Sequence, residues 1–244
     1  NRDRYFWRWD TEEKYQHNMR NYLRMISGID HAVGRVIDEL DSLGMAKNTV
    51  IIYMADNGYY AASRGFAGKW SHYEESQRVP LIIYDPRAKK EERGKRDKSI
   101  ALNVDIAPTI VRLAGARLPE SYQGRSLGMA LNGRKGKVAP SDFFCEHRMN
   151  NRSIPKWEGV RGERYKYARY YEQDPPYEFL HDLESDPMEL KNLASDPNHK
   201  EKLDELRKRC SLLSAKYDNQ AKADSRSALR SVQFGLLDEG KKAS

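Results

Sequence analysis

Thr49-Val-Ile-Ile-Tyr-Met-Ala-Asp56-Asn57-Gly58 is the stretch that decides the fold. Up to Ala55 it is an apolar run enriched in β-branched residues. A run of that kind reads as a strand buried on both faces, and such strands belong to parallel sheets. Upstream, Tyr15, Met19, Tyr22, Ile26, Ile29, Val33 and their successors to Leu43 recur at steps of three and four, which predicts a long helix. Asp10 with Glu13 resembles a capping box at its start, Gly44 suits a left-handed stop, and Gly28 offers a place for a break. A long helix feeding a buried strand predicts an α/β layer.

Downstream, Val79-Pro-Leu-Ile-Ile-Tyr84 reads as a second strand, followed by a basic loop from Arg87 to Lys98. Asp105 is placed to cap a helix through Leu113, with Pro108 in its first turn and Gly115 at its end. From about Pro140 the texture changes. Arg164 to Tyr171 and Tyr177 to Leu180 are aromatic and alternating, as in an antiparallel hairpin or small sheet. Leu203, Leu206, Cys210, Leu213 and Tyr217 then form an apolar stripe on a charged helix introduced by Pro197. Beyond Asp218 the polar, small-residue composition reads as a poorly ordered or loosely docked tail. The expected division is 1–139, 140–217 and a tail of 218–244.

The 244 residues are 39% hydrophobic and 32% charged, enough for a core under a heavily ionised surface. The net charge of +7 favours anionic partners, yet no nucleic-acid-binding motif accompanies it and acidic residues interrupt the basic ones. No apolar run is long enough for a membrane span. Asn1 is not a natural translation start, so the absence of a signal peptide says nothing of where the parent protein travels. Cys145 and Cys210 make no disulfide framework, and Cys210 on the apolar stripe reads as a buried thiol. His17 and His31 read as surface or packing residues, having no second ligand at a useful spacing.

Functional groups of a parallel α/β sheet gather beyond the carboxyl ends of its strands, where Asp56 and Asn57 are the first polar residues. A carboxylate beside an amide carbonyl offers two oxygen donors suited to Ca²⁺ or Mg²⁺, although Asn57-Gly58 alone also reads as a turn. Lys69, between Gly68 and Trp70, would make sense near such a cation if an anion lay between them.

These stretches, with Tyr73-Glu74-Glu75-Ser76-Gln-Arg78-Val79-Pro80, resemble the second signature region of the type I, formylglycine-dependent sulfatases of the alkaline phosphatase-like superfamily. Asp30-His-Ala-Val-Gly34, Val104 to Gly115, Gly124-Arg-Ser126-Leu127 and Tyr177 to Leu193 are similar to further family segments, so the likeness covers most of 22–193. It implies the carboxyl-terminal part of an α/β/α sandwich followed by a small α+β subdomain with antiparallel strands. It also implies Asp56 and Asn57 as calcium ligands (Ca²⁺ rather than Mg²⁺), Lys69 on the sulfate, and a periplasmic, secreted or lysosomal setting.

The implied nucleophile is a hydrated formylglycine made from a Cys or Ser in a Cys/Ser-x-Pro-x-Arg stretch, which this chain lacks. The implied partners are therefore the missing amino-terminal half of the same protein and a sulfated small molecule or glycan, and the chain alone is expected to be inactive. Where many relatives carry Gly-Glu-His-Gly, this sequence reads Ala62-Ser63-Arg64-Gly65. His72 and His147 are candidates to line a sugar or aryl pocket, or else are surface histidines. Two alternatives stay open: a formylglycine-dependent phosphonate or phosphodiester hydrolase, and a non-catalytic anion-binding module.

Overall fold

The computed structural model describes residues 1–127, 140–151 and 153–239. It divides into two units, Asn1–Ser141 and Asp142–Ser244.

In the first unit, α1 (Arg2–Arg8) precedes α2 (Glu12–Ser42), the long helix that the periodicity predicts. Its cap lies one residue beyond the expected one: Thr11 Oγ1 accepts the Lys14 N–H at 3.3 Å, while the Asp10 carboxylate pairs with the Lys14 ammonium. Gly28 does not break α2, which runs without interruption from Glu12 to Ser42, and a Cβ there would meet open space. Gly44 ends it at φ +67°, the left-handed stop that a residue without Cβ supplies. No residue of α2 is buried, and Ile26, Ile29, Val36 and Ile37 are exposed along its apolar side.

Strand β1 (Ile51–Met54) pairs antiparallel with β4 (Leu81–Tyr84), in the register Ile51↔Tyr84 and Met54↔Leu81. This corrects the expectation of a parallel, doubly buried strand. A parallel return needs a crossover connection, usually a helix. The segment joining these strands contains instead a short antiparallel pair, β2 (Tyr60–Ala61) with β3 (Ala67–Gly68), and the four-residue helix α3 (Glu74–Gln77). Ile82 and Tyr84 on β4 alternate outward, as a one-sided antiparallel strand requires.

Helix α4 (Ile106–Leu113) ends before Gly115 at φ +75°. Asp105 is buried but does not cap α4 through its side chain. Its carboxylate accepts N–H groups from Leu102 (3.0 Å) and Arg125 (2.8 Å), closing the preceding turn and tying down a distant loop.

The second unit is an antiparallel meander of β5 (Asp142–His147), β6 (Trp157–Gly162), β7 (Tyr165–Tyr170) and β8 (Tyr177–Asp182), in that order. The expected hairpin is β7–β8, with Tyr165↔Asp182 and Tyr170↔Tyr177. Gly159 admits β7 closely, since a Cβ there would lie 2.3 Å from the Tyr167 carbonyl oxygen. Helix α5 (Lys200–Glu239) presses Leu203, Leu206, Cys210 and Leu213 onto Val160, Tyr167 and Leu180, so the stripe read from the sequence is the core of this unit. The helix continues through 218–239, where the sequence suggested a tail. That stretch has no proline, and its alanines and leucines propagate a helix already nucleated upstream. Residues 240–244 of the expected tail lie outside the described residues.

One ion pair lies wholly inside this unit: Lys166 Nζ to Glu189 Oε1 at 2.6 Å, with both side chains almost fully buried. Removing one partner of such a pair strands a charge in a low-dielectric site, which costs about 3–5 kcal/mol, whereas apolar replacement of both is nearly neutral. Lys166→Met should therefore lower the unfolding free energy by about that amount, and Lys166→Met/Glu189→Leu should recover most of it. Urea unfolding checks this, and a single variant as stable as the original would contradict it.

Candidate functional site

The chain leaves β1 at Met54, and the turn that follows is pinned from another loop. Asn103 Nδ2 donates to the carbonyl oxygens of Asp56 (2.8 Å) and Ala55 (3.4 Å). Asp56 Oδ1 accepts the Asn57 N–H at 2.8 Å, which orients a carboxylate that is 86% exposed. The Asn57 amide donates from Nδ2 to the Gly58 carbonyl oxygen at 2.8 Å, leaving Oδ1 facing outward as an acceptor. Lys69 Nζ donates to that Oδ1 and lies 3.9 Å from Asp56 Oδ2. The three residues singled out for chemistry thus converge.

Lys69 arrives there because the backbone around it is forced into an unusual course. Gly68 sits at φ +95° and Trp70 at φ +83°, the left-handed side that a bulky residue rarely adopts. The Trp70 ring holds the Arg4 guanidinium at 4.3 Å from its centroid, while Lys69 Nζ lies 5.9 Å from the same ring.

Helix α3 is the common support. The Gly58 N–H donates to the Ser76 carbonyl oxygen at 2.9 Å, and the Trp70 N–H donates to Ser76 Oγ at 3.0 Å. Gly58 has no room for a side chain, since a Cβ would stand 2.0 Å from the Glu75 carbonyl oxygen. The helix is anchored in turn by Arg64, whose Nε donates to both Glu75 carboxylate oxygens (2.9 and 3.1 Å) and whose guanidinium lies 4.0 Å from the Tyr73 ring centroid. Arg64 belongs to Ala62-Ser63-Arg64-Gly65, where Ala62 and Arg64 both carry positive φ. Nothing in residue spacing identified this anchor.

His72 is almost fully buried with its ring 4.0 Å from that of Tyr73, so it is a packed histidine rather than a surface one. His147, at the end of β5 in the second unit, is partly buried. Both of its ring nitrogens are shielded from solvent without a hydrogen-bond partner among the described residues, and burial lowers its pKa, which favours the neutral ring. Cys210 is no nucleophile, because burial pushes its thiol pKa up to about 12.

Among the described residues, no three His, Cys, Asp or Glu side chains gather as a metal site. The Asp56 carboxylate and the Asn57 amide oxygen fit Ca²⁺ in donor type, as hard oxygens facing one point of positive charge. They fall short in number, since that ion takes about six to eight oxygens. A divalent cation at Asn57 Oδ1 would repel the Lys69 ammonium seated there, and would turn it towards an anion.

A family model described as N-sulphoglucosamine sulphohydrolase, C-terminal, matches residues 63–216, and one described as Sulfatase matches residues 3–116. The chain is 34% identical over 200 residues to N-acetylglucosamine-6-O-sulfatase of Bacteroides thetaiotaomicron, covering 79% of this chain but only 35% of that relative's length. Its structure is similar to one solved in complex with its substrate D-glucosamine-2-N,6-O-disulfate (TM-score 0.76, 30% identity, 86% of this chain and 42% of the other). It is also similar to a phosphonate monoester hydrolase of Silicibacter pomeroyi (TM-score 0.74, 26% identity, 86% of this chain and 42% of the other).

The contact at Gly58 predicts a contrast between two glycines. Gly58→Ala should force the 56–58 turn off α3 and destabilise the protein by about 1–3 kcal/mol, the usual cost of overpacking. Gly28→Ala, in open space on α2, should be neutral or stabilising by roughly 0.5–1 kcal/mol. Thermal unfolding separates them, and equal shifts would contradict the contact.

Proposed function

Since the chain belongs to the sulfatase family, we propose that it is the carboxyl-terminal part of a sulfuric ester hydrolase acting on a sulfated sugar or aryl sulfate. The observation that carries this reading is the convergence of Lys69 Nζ on Asn57 Oδ1 and Asp56 Oδ2 at the end of a strand. Asp56 and Asn57 would hold Ca²⁺, which when bound supplies Lewis-acid polarisation of the sulfate group. Lys69, released from Asn57 Oδ1, donates to sulfate oxygens and offsets the charge that shifts during S–O cleavage. The attacking formylglycine belongs to the portion of the parent protein outside this chain. His72, packed on Tyr73, is given no substrate contact.

The same reading accounts for the apolar side of α2. The chain spans 35% of the length of the Bacteroides thetaiotaomicron N-acetylglucosamine-6-O-sulfatase, and the exposed Ile26, Ile29, Val36 and Ile37 face is where we place the rest of the parent protein. Ile29→Asp should cost the intact protein about 2 kcal/mol or more while leaving the 244-residue chain within roughly 0.5 kcal/mol of its original stability. Unfolding measurements on both forms check this, and equal sensitivity would contradict it.

A second reading, phosphonate monoester hydrolysis, is favoured by the Silicibacter pomeroyi likeness. The intact protein should hydrolyse an aryl sulfate faster than an aryl phosphonate, and the reverse order would favour the second reading. Lys69→Ala should lower kcat by roughly 10²-fold or more, the scale on which one electrostatic stabiliser acts. Lys69→Arg should rescue it poorly, because a planar fork does not replace a compact ammonium. The 244-residue chain alone should be inactive. Near-original kcat in Lys69→Ala would remove Lys69 from the site.

A further inference from the structure

The segment Tyr73-Glu74-Glu75-Ser76-Gln-Arg78 contributes no group to the chemistry just described, yet it touches both turns of the site. Ser76 is the point of contact. Its carbonyl oxygen receives the N–H of Gly58, the residue after Asn57, and its Oγ receives the N–H of Trp70, the residue after Lys69. One buried residue, through its carbonyl oxygen and its hydroxyl, therefore ties the metal-side turn to the lysine-side turn, each one peptide away from the group that reacts. The need for such a tie is visible at Trp70, which stands at φ +83°. A bulky residue holds that conformation only where its surroundings over-determine it, and the Ser76 hydroxyl supplies one such constraint.

We infer that Ser76 is a positioning residue of the site: its two hydrogen bonds set the separation of Asn57 Oδ1 and Lys69 Nζ, and with it the alignment of cation and ammonium on the substrate. The inference rests on the sulfatase reading. Loss of the hydroxyl leaves the Gly58 bond in place, since that bond uses the Ser76 backbone. It frees the Trp70 N–H from Oγ and lets the Lys69 turn drift relative to Asn57. A small misplacement of this kind lowers the rate of the chemical step much more than it weakens binding.

The test uses the intact protein with Ser76→Ala and Ser76→Thr, assayed on an aryl sulfate well below each variant's melting temperature. Amide hydrogen exchange at Trp70 is measured on the same samples. Ser76→Ala should lower kcat by about tenfold or more with KM within about threefold, and Trp70 exchange should accelerate by at least about tenfold. Ser76→Thr, which keeps the hydroxyl, should restore both. Ser76→Gly, which adds no bulk, should behave like Ser76→Ala and serves if the threonine methyl disturbs folding. Unchanged Trp70 exchange in Ser76→Ala overturns the inference, as does faster exchange with kcat within twofold of the original. An original enzyme inactive on every sulfate ester, with Trp70 exchange responding as stated, overturns the functional reading and leaves the hydrogen bond itself established.

Discussion

The close approach of Gly58 to the backbone of α3 is the constraint from which the site follows. The space between the 56–58 turn and the Glu75 carbonyl admits a hydrogen atom but no methyl group. Because the two backbones lie so near, the Gly58 N–H reaches the Ser76 carbonyl oxygen, and the Ser76 hydroxyl reaches across to Trp70. Arg64 closes the assembly from the far side by gripping Glu75 and lying over Tyr73. A glycine, a serine and an arginine with no role in bond-making thus decide where an aspartate, an asparagine and a lysine meet.

The second unit is held by different physics. Its four-stranded meander buries one apolar face under α5, and many of its charged groups stand in pairs: Arg164 with Asp182, Arg169 with Glu158, Arg207 with Glu178 and Lys166 with Glu189. Paired, hydrogen-bonded charges reconcile a highly ionised composition with a closed core. Arg164 holds the Asp182 carboxyl down at about 2, so that pair stays ionised through the neutral range.

Much of this was legible in residue order. Three- and four-residue steps gave α2 and the buried stripe of α5, and the Asp56-Asn57, Lys69 and Tyr73-to-Pro80 stretches carried the family likeness. Other features were hidden for physical reasons. An apolar stripe records that a helix has a face to bury but not whether the partner is in the same chain, so the exposure of α2 could not be read. The run at Thr49 is equally apolar in a parallel or antiparallel strand, and the intervening chain decided the matter by offering no crossover helix. Beyond Asp218, polar composition suggested a tail where a proline-free run extends a helix. The Arg64–Glu75 anchor and the Ser76 tie depend on loop geometry, which leaves no periodic trace.

The central claim is that Asp56, Asn57 and Lys69 form the cation- and anion-facing part of a sulfate-ester site. The most direct measurement is a crystal structure of the intact protein with calcium and inorganic sulfate bound. The predicted result places Asp56 and Asn57 side-chain oxygens about 2.3–2.6 Å from the cation, and Lys69 Nζ within about 3 Å of a sulfate oxygen and off Asn57 Oδ1. A cation bound elsewhere, or Lys69 still seated on Asn57 Oδ1 with sulfate present, would contradict it.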